Sequence, residues 1–258
     1  MICSYHTHTA RCHHASGTDR EYIEKAIAEG VKVLGFSDHA PMRYPEGYIC
    51  DYKMLPEELS EYCDSLLALK EEYKDRIDIR IGLEAEYYPD LFEDSLGFWR
   101  EYPIDYLILG QHYMGDERLL DRTIYKSEDK ARLTEYIDVV CEGVRTGAFT
   151  YVAHADILNY TGDDEAFLRS EYRRLIKTIM DAGMPLEYNL LGMMEGRNYP
   201  NEIFWQEAAG LGAVTVIGCD AHSPKRVADK AEIARAEEFL RCVGVAVVDE
   251  IPLVFPFG

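Results

Sequence analysis

Short apolar runs alternate with longer amphipathic stretches along most of this chain. Continuous apolar runs are typical of buried parallel strands, whereas helices repeat apolar residues three and four positions apart. The pattern predicts seven strands, over residues 2–6, 33–37, 78–84, 106–109, 150–152, 186–188 and 214–217. A last apolar run, over residues 245–248, is a further strand or an ordered tail.

Helical periodicity occupies the segments between these strands. Thr18 or Asp19 can cap the first helix, and Gly30 can end it. Pro56 opens another helix after a Pro- and Tyr-rich loop over residues 41–55. The predicted helices cover residues 19–29, 56–73, 91–101, 130–146, 165–182, 202–211 and 227–243, and a polar loop covers residues 115–128.

This alternation of strands and helices indicates an α/β fold with a parallel sheet. About seven such units with continuously apolar strands favour a barrel, whose chemistry lies where strands end and loops begin. A doubly wound open sheet would instead gather its site at one crevice. The sequence contains no repeat, low-complexity segment or clear linker, so we expect one domain over residues 1–258.

Histidines beside carboxylates follow nearly all of the predicted strands. Since the carboxyl ends of parallel strands meet at one end of a barrel, these motifs predict a single spatial cluster. Imidazole and carboxylate together are ligands for Zn, Mn or Fe, which indicates a multinuclear metal site. The motifs are His6-Thr7-His8, Asp38-His39, Glu84, His112, His154 and Asp220-Ala221-His222.

Two of these motifs place a pair of ligands two positions apart. Such residues point to the same face of a strand, so His6 and His8 form a ready pair, and Asp220 and His222 repeat it. An isolated His-x-His pair could equally be two surface histidines on a loop. Glu84 closes an apolar strand, where an unpaired charge is costly, so it should either bridge metals or form a salt bridge.

The motifs with a single histidine are weaker evidence for a metal site than the paired ligands. His112 and His154 could each be a satisfied core or loop histidine, but both follow apolar runs, and this parallel placement favours ligation. Asp38 could hold the second nitrogen of the histidine that follows it, as metal-bound imidazoles often require, or cap a turn. His13 and His14 lie on the same predicted loop and compete for one role.

Several other residues beside the motifs could bind a substrate. Arg197 follows the strand that carries Asn189, and its planar fork suits a phosphate, although it could also be an ordinary surface arginine. Glu86 shares a strand face with Glu84 and could support a ligand or bind a substrate amine. Tyr113 and neighbouring tyrosines suit a cationic, ring-bearing group.

The composition limits the kinds of partner that this chain is expected to bind. The 258 residues are 47% hydrophobic without any run long enough to cross a membrane, which predicts a cytoplasmic protein. A net charge of −20 argues against extended nucleic-acid binding, although metals could make one site locally positive for a small anion. Seven scattered cysteines without a CxxC pair are expected to be reduced thiols.

The ordered motifs resemble the polymerase and histidinol phosphatase (PHP) family, and within it the histidinol-phosphatase branch. The resemblance runs from His6-Thr7-His8 to Asp220-Ala221-His222 and includes segments 36–41, 82–84 and 187–189, followed by Arg197. It implies a distorted (βα)7 barrel with the metal site at the C-terminal ends of the strands. The chain departs from the branch at Cys219, usually Ser, and over residues 190–194, where a more polar run is usual.

The resemblance also implies the ligands of two to three divalent transition metals, Zn, Mn or Fe. One metal would take His6, His8, Glu84 and Asp220, a second would share Glu84 and take His112 and His154, and a third would take His14, His39 and His222.

The activity implied by this family is that of a metal-dependent phosphomonoesterase, here acting on L-histidinol phosphate in histidine biosynthesis. Arg197 would clamp the phosphate, and Asn189, Glu86 and Tyr113 would contact the substrate. The leaving group could be stabilised by the third metal or protonated by Asp38 through water. The alternatives are another small phosphate ester, such as a nucleotide or sugar phosphate, a phosphodiester, or a non-catalytic metal-binding module. A diesterase would need a basic track, and a non-catalytic module would lack ligands that this chain retains.

Overall fold

Eight parallel strands follow one another in chain order across a single sheet. The computed structural model describes residues 1–115, 117–118 and 126–258, so the loop predicted over residues 115–128 lies partly outside the described residues. The α/β class and the parallel sheet are confirmed. The strands are β1 (Cys3–Ser4), β2 (Val33–His39), β3 (Asp78–Ala85), β4 (Tyr106–Leu109), β5 (Tyr151–Val152), β6 (Leu186–Asn189), β7 (Val214–Gly218) and β8 (Ala246–Val247).

Helices connect these strands close to the predicted positions. Thr18 and Glu21 form a capping box at the start of the first helix, and Gly30 ends it with a φ of 88°. The sixth helix was not predicted, because its short apolar sequence carries no helical period. The helices are α1 (Asp19–Glu29), α2 (Leu59–Tyr73), α3 (Phe92–Trp99), α4 (Lys130–Arg145), α5 (Glu165–Asp181), α6 (Leu190–Glu195), α7 (Glu202–Leu211) and α8 (Lys230–Val243).

The sheet contains the seven predicted strands and an eighth within the last apolar run, residues 245–248, and it curls. The additional strand, β8, pairs with the beginning of β7. Beyond the C-terminal ends of β1 and β7, a parallel bridge between Thr7 and Ala221 joins the segments that follow these two strands. The curl therefore brings the first and seventh strands together at the end where the strands finish.

Alternating side chains of the strands pack into two apolar layers. One layer lies between the sheet and the helices, and the other is a smaller cluster that includes Tyr5, Tyr106 and Tyr151. The Tyr106 hydroxyl donates a hydrogen bond to the Tyr5 carbonyl at 2.7 Å. A side chain at Gly82 would overlap the Tyr106 ring, so glycine is required beside it. Strand interiors filled in this way support the ends of the strands rigidly.

Two expectations from the composition can be compared with this structure. All seven cysteines are free, as expected of reduced thiols, and six of them are buried. Within the described ranges, no helix combines the length and the apolar character that crossing a membrane requires.

Candidate metal centre

The carboxylate of Glu84, at the end of β3, is the centre of a histidine cluster. Glu84 is only 2% exposed. A side chain at Gly110 would overlap this carboxylate, so the glycine after β4 makes room for it. The nearest ring nitrogens lie 2.9–3.8 Å from its two oxygens and belong to His6, His8, His39, His112 and His154.

Asp220 organises a second part of the same cluster, after β7. Its Oδ1 lies 3.1 Å from Nε2 of His8 and 3.3 Å from Nδ1 of His222. His222 Nε2 in turn lies 3.0 Å from Nε2 of His14. The bridge between the segments that follow β1 and β7 explains this proximity, because it places His8 beside Asp220.

The structure brings His14, and not His13, to the cluster. His13 has a left-handed backbone, with φ of 65°, and its Nε2 lies 3.6 Å from a carboxylate oxygen of Glu58, away from the other histidines. His14 Nδ1 is paired with the carbonyl of Cys12 at 2.7 Å, which directs its Nε2 toward His222. The loop therefore places the two adjacent histidines in different surroundings, His13 beside Glu58 and His14 in the cluster.

The donor atoms fit metal ions. Nε2 atoms of His6 and His8 face each other at 3.2 Å, as those of His14 and His222 do at 3.0 Å, and two such nitrogens require a proton or a cation between them. Several sets of three donors lie within 4.8 Å of one another; these are His6-His8-Asp220, His6-Glu84-His154, His8-His39-Glu84, His14-His39-His222 and His8-Cys12-His222. His112 lies outside these sets, with its Nε2 3.8 Å from Glu84 Oε1.

Two of the candidate ligands have left-handed backbones, a conformation that favours glycine. His154 has a φ of 33° and Asp220 a φ of 47°. Such residues cost about 1–3 kcal/mol each and concentrate at functional sites. The His154 amide donates to Glu187 at 2.9 Å, and this hydrogen bond helps to hold the unfavourable turn.

The electrostatics of the cluster show why it suits cations. Burial alone would lower the pKa of His6, but nearby carboxylates, that of Glu187 first, raise it well above its usual value. Burial would raise the pKa of Glu84, yet the surrounding histidines lower it far below its usual value. Burial lowers the pKa of His39 to about 4 and that of His222 to about 3. His39 and His222 are therefore neutral imidazoles beside ionised carboxylates, and a divalent metal would replace the proton that the raised pKa of His6 favours.

Three histidines are oriented by a buried carboxylate on the other ring nitrogen. Contacts of this kind set the tautomer and direction of metal-binding imidazoles. The pairs, each joined through Nδ1, are His6 with Glu187 at 2.8 Å, His8 with Asp38 at 3.3 Å and His112 with Glu86 at 3.1 Å.

The position of Asp38 corrects the expectation that it protonates a leaving group. Its side chain is fully buried, and it holds His8 rather than the His39 side chain beside it. One oxygen accepts hydrogen bonds from the amide and hydroxyl of Thr9. Burial would raise its pKa, but the contact with His8 and other hydrogen bonds lower it, so the carboxylate is ionised and has no proton to donate.

Asn189 and Glu86 also lie behind the cluster instead of facing a substrate. Asn189 is 1% exposed; its amide nitrogen donates to Glu187 and Asp220, and its oxygen caps α6. Glu86 is 2% exposed, with its oxygens bonded to His112 and a tyrosine hydroxyl. Neither side chain therefore has an atom left for direct contact with a substrate, which corrects that expectation for both. The alternative expectation, that Glu86 supports a ligand, agrees with its contact with His112.

A buried lysine supports Glu86 from the other side. Lys53 Nζ lies 2.7 Å from Glu117 and 3.5 Å from Glu86, within 5.3 Å of the ring centre of Tyr88. Burial would lower the pKa of Lys53, but the two carboxylates raise it well above its usual value. Burial would raise the pKa of Glu86, yet Lys53 and its other contacts lower it to about 2. This charged network extends from Lys53 to His112.

A cavity of about 350 Å³ opens directly on the histidine cluster. Such a volume suits a small molecule. Its lining residues are His14, His39, Tyr52, Glu84, His112, Tyr113, Leu191, Glu195, Arg197, Tyr199, Asp220 and His222.

Arg197 reaches this cavity as part of a hydrogen-bonded group. Its Nε and Nη2 donate to one carboxylate oxygen of Glu195, at 3.0 and 2.7 Å. Its Nη1 donates to the hydroxyl of Tyr199 at 2.7 Å. Together these contacts present the guanidinium beside the candidate metal ligands.

Tyrosine rings form another part of the lining. Tyr113, predicted to contact the substrate, lines the cavity, and its ring stacks on that of Tyr52 with centroids 6.0 Å apart. Sequence reasoning did not select Tyr52, Tyr199, Glu195, Lys53 or a role for Glu187. Glu187, two positions before Asn189 on one strand face, was the only one with a local signal of the kind used for the ligands.

Comparison with known proteins agrees with this arrangement. The sequence profile of the PHP domain family matches residues 4–190, most of the chain. The chain belongs to the PHP domain family. This PHP protein is 31% identical to a probable histidinol-phosphatase of Deinococcus radiodurans, over 94% of each chain. It is 26% identical to the histidinol-phosphatase of Bacillus subtilis, over 84% of this chain and 92% of the relative.

The fold has a close solved counterpart as well. The histidinol phosphate phosphatase of Lactococcus lactis, crystallised with zinc, L-histidinol and phosphate, matches with a TM-score of 0.74. It is 22% identical, and the match covers 96% of this PHP protein and 95% of the Lactococcus chain. The likeness shows that the two share one fold over nearly their whole length.

Proposed function

We propose that this PHP protein is a metal-dependent phosphomonoesterase that hydrolyses L-histidinol phosphate to L-histidinol and phosphate. One observation carries the proposal: a single small cavity is lined both by six of the nine candidate metal ligands and by Arg197. Curated relatives across the full length are named histidinol-phosphatases, which supports this substrate.

Two to three divalent transition metals, Zn, Mn or Fe, would be held at the ends of the strands of a distorted (βα)7 barrel. The proposed ligands are the nine residues His6, His8, His14, His39, Glu84, His112, His154, Asp220 and His222. Metals bound by them would supply an activated water and neutralise the charge of the phosphoryl oxygens. The buried carboxylates behind the histidines keep ring nitrogens directed at the ions.

Arg197 is the residue proposed to hold the phosphate. A guanidinium has five N–H groups, and three are engaged with Glu195 and Tyr199. Among the described residues, one N–H on each Nη atom is thus left to donate a charge-assisted hydrogen bond to a phosphate oxygen. Tyr199, which is buried, holds the guanidinium at the edge of the candidate metal centre.

The remaining lining favours a small monoester with an aromatic or cationic leaving group. The stacked rings of Tyr52 and Tyr113 offer an aromatic surface to an imidazole. Among the described lining residues, Arg197 is the single Lys or Arg. A nucleic-acid substrate would need further cations for its neighbouring phosphates, so the lining argues against a nuclease.

The test is a comparison of substrates with the purified, metal-loaded protein. We expect kcat/KM for L-histidinol phosphate to exceed that for p-nitrophenyl phosphate and bis-p-nitrophenyl phosphate at least about tenfold, equivalent to ~1.4 kcal/mol. A higher value for the diester would contradict the proposal while leaving a metal-dependent phosphoesterase. A higher value for p-nitrophenyl phosphate would contradict the substrate assignment alone.

A further inference from the structure

One carboxylate in the cavity has no place in the candidate metal centre. Among the described residues, three carboxylates line the cavity: Glu84, Asp220 and Glu195. Glu84 and Asp220 belong to the sets of potential metal ligands, and Glu195 does not. A substrate with a positively charged part would therefore meet Glu195 as its anionic partner, because Glu86 is buried behind His112.

The backbone fixes Glu195 beside Arg197. Glu195 is the last residue of α6, and Gly196 follows it with φ of 63° in the left-handed region. The Arg197 amide then donates to the Gly192 carbonyl at 3.0 Å, so the chain turns back on the helix end. This turn places the two side chains, of opposite charge, next to each other at the edge of the cavity.

The ion pair between Glu195 and Arg197 leaves each side chain able to bind a ligand. Both side chains are about two-fifths exposed, at 43% for Glu195 and 40% for Arg197, and exposed ion pairs contribute little stability. Oε2 of Glu195 accepts both hydrogen bonds from Arg197, whereas Oε1 has no hydrogen-bond partner among the residues that the structure describes. A ligand can bind Oε1 without first disrupting the pair.

We propose that Glu195 determines specificity by binding the positively charged amine of the leaving group while Arg197 binds the phosphate. The inference rests on the proposed function and names the substrate class: phosphomonoesters with an ammonium group a few bonds from the ester oxygen. In such a substrate the two charges lie close together, as Arg197 and Glu195 do. The substrate anion and cation then each meet the oppositely charged member of the pair.

The same carboxylate disfavours other phosphate esters. A neutral leaving group gives Glu195 no cation, and the dianionic phosphate on Arg197 then lies beside an uncompensated negative charge. An anionic leaving group is repelled further. Glu195 therefore separates aminoalkyl phosphates from sugar phosphates and nucleotides, a choice that the metal ligands cannot make.

The test uses two substrates that differ only in the amine, O-phosphoethanolamine and ethyl phosphate. We expect wild-type protein to prefer O-phosphoethanolamine in kcat/KM by about tenfold, as for one charged hydrogen bond at a partly exposed site. Glu195→Gln keeps the shape and removes the charge, so the preference should fall to about twofold or less, and Glu195→Asp should retain part of it. The ratio isolates the amine, because a displaced Arg197 would slow both substrates alike.

Glu238→Gln is the matched control. Glu238 pairs with Arg241 at 2.7 Å on the surface of α8 and does not line the cavity, so this variant should keep the wild-type preference. Metal content, measured by elemental analysis, should be equal in all four proteins. An unchanged preference in Glu195→Gln, or no preference in wild type, would overturn the inference even if L-histidinol phosphate is hydrolysed well. Failure of wild type on every phosphomonoester would overturn the proposed function as well.

Discussion

The neighbours of individual side chains decide which chemistry each can perform. His6, His8 and His112 each have one ring nitrogen held by a buried carboxylate, which leaves the other nitrogen directed into the cluster. Arg197 is likewise positioned by Glu195 and Tyr199 rather than left to move freely. Pre-oriented donors cost little reorganisation when they meet an anion.

Arg197→Ala should therefore impair turnover without releasing metals. From the ratio of kcat/KM values we expect the variant to lose ~2–4 kcal/mol of transition-state stabilisation. This is the usual effect of removing a charged donor at a developing anion. Arg197→Lys should rescue only part, because an ammonium lacks the planar fork. Arg241→Ala, at an exposed position of α8, is the control. Kinetics close to those of the wild type would show that Arg197 is not part of the active site.

The two adjacent histidines provide another test at this scale. His14→Ala should reduce both metal content and activity, since its Nε2 lies 3.0 Å from that of His222. His13→Ala should affect both much less, because His13 faces Glu58. Elemental analysis and steady-state kinetics of the two variants would measure this. Equal or reversed effects would show that the loop places the neighbouring histidine in the site.

At the scale of elements, glycines at the ends of the strands leave space for the carboxylate side chains of neighbouring strands. The Glu84 carboxylate at the end of β3 occupies the space beside Gly110, directly after β4. The Glu187 carboxylate on β6 uses the space beside Gly218 on β7 in the same way. Neighbouring parallel strands thus make one pocket for each carboxylate, which explains how a charged group fits at the end of a buried strand.

Gly110→Ala should consequently displace Glu84 and lower metal content, with loss of activity. Gly97→Ala is a matched control: Gly97 lies in α3, and an added Cβ there meets nothing within 4 Å. We expect this control to be neutral or to stabilise by about 0.5–1 kcal/mol, because alanine is favoured over glycine inside helices. Full metal content in Gly110→Ala would show that Glu84 is not required where the structure places it.

The loop between β2 and α2 carries the buried Lys53, and its charge should matter for folding. Lys53→Met leaves Glu86 and Glu117 buried without their cation, so we expect a loss of about 3–5 kcal/mol in the free energy of unfolding. Urea unfolding of metal-free protein would measure it. Lys74→Met is the control, since Lys74 is 59% exposed. A loss below about 1 kcal/mol would show that the lysine does not compensate these carboxylates.

For the molecule as a whole, the metals should contribute to stability as well as to catalysis. The chain carries a net charge of −20, and cations bound to the carboxylates at the ends of the strands would offset part of it. Ligands from six strand ends would also be tied together, so binding stabilises the folded state. We expect two to three metals per chain by elemental analysis and a lower Tm after chelation. Fewer than one metal per chain, with no gain on reconstitution, would contradict a multinuclear site.

The sequence by itself determined most of the elements and the ligand candidates, while the short helix α6 was missed. Helix α1 could be predicted to the residue from the cap at Thr18 and the glycine at Gly30, because such signals are local. The histidine motifs could be assigned to one cluster because parallel strands end on the same side of a sheet. Glu84 stood out since a charge after an apolar strand needs a partner.

Only the tertiary structure decided which polar side chains face the cavity and which lie behind the ligands. Asp38 and Glu86 neighbour candidate ligands in sequence, yet they hold ring nitrogens from behind, and Lys53 reaches Glu86 from a distant loop. Glu195 is the last residue of the short apolar helix α6, belongs to no motif, and lines the cavity. Periodicity along the chain reports the face of one element, whereas these roles depend on distances between residues far apart in sequence, which the curl of the sheet sets.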